Sequence, residues 1–89
     1  MSKFLEQREL FDKVIFLGEE DQAEPIRVFK RFFGDYRLHE VRHILWCMVE
    51  ACLTTDNSDF SEPGDRADLL LRYKHLEELL EAGWLLVGK

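Results

Sequence analysis

Cysteine is scarce in this sequence, with two residues among 89, and that scarcity excludes the disulfide-dense scaffolds by which many small secreted domains compensate for a thin core. Cys47 and Cys52 lie five apart in one expected helix, so at 100° per residue their side chains diverge by about 140° and cannot pair with each other. Reduced thiols and a cytoplasmic setting follow as expectations. Long apolar runs are also missing. The longest, Ile44 to Val49, is six residues, against about 20 for a membrane-spanning helix. Glu6 and Glu9 interrupt the opening segment where a secretory signal would need an apolar stretch. There is no Cys-x-x-Cys, no nucleophile motif, no internal repeat and no low-complexity segment. The five glycines are scattered in the manner of helix stops and do not gather into a phosphate-cradling loop.

Basic charge is in deficit too. Twelve Lys and Arg stand against 18 Asp and Glu, for a net charge of −6. An acidic chain repels a phosphate backbone, whose neutralisation supplies most non-specific nucleic-acid affinity, so DNA and RNA are not expected partners. The deficit is uneven. Arg27, Lys30, Arg31, Arg37 and Arg42 face only Asp35 and Glu40 within residues 25 to 49. This central basic segment is expected to meet Glu77, Glu78 and Glu81, inside the fold or across a dimer.

Apolar side chains are plentiful: hydrophobic residues make up 46% and aromatics 12%, seven of them Phe. That is far too rich for disorder. A chain of 89 residues supports one core, not two, so residues 1 to 89 are expected to form a single domain. The pattern is helical throughout. Phe4, Leu10, Phe11, Val14 and Leu17 recur at helical intervals, predicting an amphipathic helix over 3 to 17 that ends at Gly18; a short strand over Val14 to Leu17 is the rival reading. Pro25 suits the start of a second helix running to Phe33, with Gly34 as its stop. Asp35 is the expected N-cap of a third helix to about Thr54. Apolar residues cover more than half of that helix's circumference, so it is expected to be central, with neighbours on two sides. A fourth helix is predicted from about Asp65 to Gly83. The resulting fold class is all-α, a small antiparallel four-helix bundle or helical array.

Three features invite a chemical reading. His39, His43 and Cys47 recur every four residues on the polar strip of the third helix, and zinc accepts imidazole nitrogen and thiolate sulfur. A stable site needs three or four ligands, so His75 or an acidic residue would have to complete the shell. Asp56, Ser58, Asp59, Glu62 and Asp65 form an acidic loop that departs from the EF-hand order at Phe60, and it reads as a solvated, helix-capping loop. Arg37-x5-His43 resembles the arginine and histidine pairing of HEPN-type helical ribonucleases, a resemblance that covers two residues of the chain. It implies that Arg37 would steady phosphate charge and His43 would move protons.

The preferred expectation is different: a non-catalytic helical protein–protein interaction module, without a cofactor, that associates as a homodimer. Trp84, Leu85, Leu86 and Val87 follow the expected stop at Gly83 and must fold back or find a partner. Trp46 falls beside the His39/Glu50 strip, where a large ring borders water. Together they could supply several hundred Å² of apolar surface, the size at which a patch usually marks an interface.

Overall fold

The computed structural model describes residues 2–55 and 59–88. Of these, 76% are helical and none is in a strand. Six helices follow in order: α1 Lys3–Glu6, α2 Arg8–Phe11, α3 Glu19–Ala23, α4 Ile26–Asp35, α5 Leu38–Thr54 and α6 Pro63–Leu86. No helix among the described residues is long and apolar enough to cross a membrane.

The first expected helix is not continuous. Ser2 caps α1 by accepting the Phe4 N–H at 3.0 Å, but the chain breaks at Gln7, resumes for one turn and stops at Asp12. Residues 12 to 18 are neither helix nor strand. The physical reason is that an isolated helix shorter than about 12 to 15 residues is marginal unless an apolar face is packed. Here Phe4 packs edge-on against Phe11, with ring centroids 4.6 Å apart, inside the same segment. Phe16 is 97% exposed.

The body is built around α6. Both α4 and α5 pack on it, so α6, and not α5, is the helix that joins the other long elements. Along α4, Phe29 and Phe33 turn toward α6, and Phe33 meets Trp84 at 5.2 Å in a T-shaped pair. A turn further along α5 corresponds to a turn back along α6: Arg42 meets Glu77 and Glu81, whereas Trp46 meets Tyr73 at 5.6 Å. Three helices of ten residues or more thus stand where a four-helix bundle was expected.

Two of the expected stops are helical. Gly34 lies within α4, and Arg37, not Asp35, is the N-cap of α5, where the Glu40 carboxylate accepts the Arg37 N–H at 3.0 Å. Gly83 lies within α6, which continues to Leu86. Its role is close approach: a β-carbon there would stand 2.6 Å from Phe29 Cδ1 and 3.2 Å from Phe33 Cε2. Glycine lets α4 settle against α6, and α6 therefore carries Trp84 back onto Phe33.

The interior is thin. Phe33, 2% exposed, and Val49, 5% exposed, are the buried hydrophobic side chains among the described residues. The accessible surface is 7379 Å², where a compact monomer of this mass exposes about 5,500 Å². The radius of gyration is 15.5 Å, against about 12 Å for a compact chain of this length.

Candidate functional site

Helix α5 has two apolar stripes and, among the described residues, packs chiefly on α6. The stripe containing Val49 and Trp46 faces α6. The other, Val41, Ile44, Leu45 and Met48, lies about 100° around the helix. With Phe32 at the end of α4, Tyr36 in the α4–α5 link and Glu40, this second stripe lines a groove of about 570 Å³. Its lining is almost wholly apolar, with Glu40 the charged side chain on it. Ile44 and Tyr36 are about half exposed and Met48 is 61% exposed. The groove follows from the fold: α4 and α5 both pack on α6, leaving the side of α5 that turns toward the end of α4 uncovered.

The basic segment divides. Arg42 donates from Nε to Glu77 Oε1 at 2.8 Å and also pairs with Glu81. Tyr73 donates its hydroxyl to the other Glu77 oxygen at 2.9 Å. The hydrogen bond to Glu77 raises the pKa of the Arg42 guanidinium above its ordinary value. Desolvation, followed by that same carboxylate, raises the Tyr73 phenol, which stays a donor at neutral pH. Arg27 and Arg31 instead pair with Glu20 and Asp21 of α3, at 3.5 and 3.1 Å. The hydrogen bond from Arg31 lowers the Asp21 pKa below the ordinary carboxylate value. Among the described residues, Lys30 and Arg37 are in no ion pair. These pairings tie helix to helix, α5 to α6 and α3 to α4.

On the polar strip of α5, the Cys47 Sγ lies 3.7 Å from His43 Nε2, and Cys47 is exposed. Among the described residues, no three His, Cys, Asp or Glu side chains gather in a metal-holding group. His75 stands on α6 beside Glu78, 3.9 Å away. Arg37 is the extended N-cap of α5, its N–H bonded to Glu40, while His43 lies within the helix beside Cys47. Asp56 and Ser58 of the acidic loop lie outside the described residues.

The expected interface residues separate as well. Trp46 and Trp84 have ring partners within the chain, Tyr73 and Phe33. Val87 is half-buried, while Leu85 and Leu86 are 71% and 65% exposed. The groove on the second stripe of α5 was not singled out from the sequence. Its signal was the excess apolar circumference of that helix, read as two internal neighbours. No family model, curated protein or solved structure matches the chain.

Proposed function

We propose that the chain is a small, non-catalytic helical interaction module of the cytoplasm that acts as a homodimer. The observation that carries this reading is uncovered apolar surface. Ile44 and Met48 in the α5 groove and Leu85 and Leu86 at the end of α6 are each more than half exposed. The groove along α5 and the exposed Leu85 and Leu86 end of α6 are the surfaces a partner would cover. A closed two-fold dimer is the commonest arrangement for a small self-associating protein. In it, helical segments of two copies would complete antiparallel four-helix packing. Sedimentation velocity over a wide micromolar range tests this: the mass should rise from 10.6 kDa toward twice that value. A mass that stays at 10.6 kDa at every concentration would refute it.

A second reading is favoured by the approach of Cys47 to His43. These two side chains, with His39 one turn earlier, offer part of a zinc shell, and a second copy would have to supply the remainder.

A further inference from the structure

We propose that two copies of the chain share one zinc ion, each giving it His43 and Cys47; this rests on the self-association and the zinc reading put forward above and fixes the ligand set. It starts from a distance. Cys47 Sγ stands 3.7 Å from His43 Nε2 and 4.0 Å from Nδ1. In a tetrahedral shell with Zn–S of about 2.3 Å and Zn–N of about 2.0 to 2.1 Å, sulfur and nitrogen ligands lie about 3.6 Å apart. Helix α5 thus holds the pair near the length of one tetrahedral edge, because residues four apart are neighbours on a helix surface. A turn of the exposed His43 ring aims a nitrogen at the ion.

The pair is half a shell, and one chain does not complete it. His39 stands about 12 Å along the axis from Cys47, too far for one ion to hold both. Among the described residues, no three His, Cys, Asp or Glu side chains gather in a metal-holding group. The run His39-Glu40-x-x-His43 is a pattern in which two histidines take zinc and the glutamate serves as base. Here the Glu40 carboxylate accepts the Arg37 N–H at the start of α5, and His43 neighbours Cys47. The base that a hydrolytic centre needs is engaged in capping the helix.

A second copy supplies the missing half by symmetry. A tetrahedron has two-fold axes that exchange opposite edges, so one His43 and Cys47 edge from each chain closes a Cys2His2 shell, with the ion on the axis of a closed dimer. Both side chains are exposed, so a second copy can reach them. Two thiols lose their protons on binding, and the two thiolates balance the charge of the dication. Sulfur and imidazole together favour zinc over magnesium or calcium.

The test uses the whole chain under a thiol reductant, with cobalt(II) as a spectroscopic stand-in for zinc. Sedimentation mass should rise from 10.6 kDa toward twice that value as zinc is added, and fall back with EDTA. Cobalt should show the visible absorption of a tetrahedral site and a thiolate charge-transfer band, both saturating at one ion per two chains. Cys47→Ser should lose that band and the zinc-driven rise in mass, His43→Ala should lose the rise, and His39→Ala should keep both. All three positions are exposed, and helix content checks that each variant is folded. A dimer indifferent to zinc and to EDTA would overturn the bridge and leave self-association standing. A monomer with and without zinc would overturn both. Saturation at one ion per chain would refute sharing, and loss of cobalt binding in His39→Ala but not in Cys47→Ser would assign the metal to His39 and His43 instead. A dimer formed only when the reductant is omitted would be a Cys47 disulfide and would equally reject the ion.

Discussion

Replacing Gly83 by Ala places a methyl group into the contact between α4 and α6. The new β-carbon would stand 2.6 and 2.7 Å from Phe29 Cδ1 and Cε1 and 3.2 Å from Phe33 Cε2, well inside van der Waals contact. Phe33 is buried, so it cannot swing out without opening the core. Overpacking of this kind costs about 1 to 3 kcal/mol. Opposing it, Ala in a helix interior is favoured over Gly by about 0.8 to 1 kcal/mol. The balance is a net destabilisation of about 1 kcal/mol, or about 4 to 8 °C in Tm for a domain of this length. Gly34→Ala is the control, because Gly34 is helical but its β-carbon would meet nothing within 4 Å. There only the propensity gain remains, and that variant should be stabilised by up to about 1 kcal/mol. Thermal melts of both variants and wild type at one fixed protein concentration, needed because association shifts Tm, give the comparison. If Gly83→Ala melts as high as Gly34→Ala, close approach of α4 to α6 at Gly83 is wrong.

Acid should loosen α3 from α4. The folded Asp21 pKa lies below its ordinary value because of Arg31, so the contribution of the carboxylate is present above an unfolded pKa of about 3.9 and is lost as pH falls through the folded value. Melts of wild type and Asp21→Asn should therefore differ at neutral pH and converge in acid; a difference independent of pH would refute that linkage. If His43 and Cys47 share zinc, added metal should raise stability by about 2.7 kcal/mol at a hundredfold excess over Kd, with the response lost in His43→Ala. Melting indifferent to zinc and to chelator would reject the metal site.

Much of the fold was legible because it is local. The apolar period anticipates α4 and α5, and α6 begins at Pro63, two residues before the start expected at about Asp65, because proline suits the first turn of a helix. The failures have a common origin in tertiary structure. Glycine after a periodic run reads as a stop, yet Gly83 is helical because Phe29 occupies the space its side chain would need. The period of residues 3 to 17 is equally helical, but period describes a face to be covered and does not supply the cover. The same limit hid the groove. A helix apolar over more than half its circumference calls for cover on two sides, and among the described residues α5 packs chiefly on α6. Charge was legible in part: of the basic segment, Arg42 meets Glu77 and Glu81 as expected, whereas Arg27 and Arg31 pair with Glu20 and Asp21.

The thin interior and the uncovered stripe of α5 belong to one argument about stability. A domain of about 60 residues buries only about 60% of the surface its unfolded chain exposes, and is marginal for that reason. This chain is longer, yet its surface exceeds the compact value and its burial is concentrated around Phe33 and Val49. Ordering each residue costs about 1 to 2 kcal/mol in backbone entropy, so apolar surface left in water is stabilisation forgone. Sequence length was therefore not the limiting quantity. The apolar side chains needed for a larger core are present, at Phe4, Leu10, Ile44 and Met48, but each of them is more than half exposed. Were two copies to join as proposed, such surfaces would become core, and folding stability would be a property of the dimer, shared with the concentration that forms it.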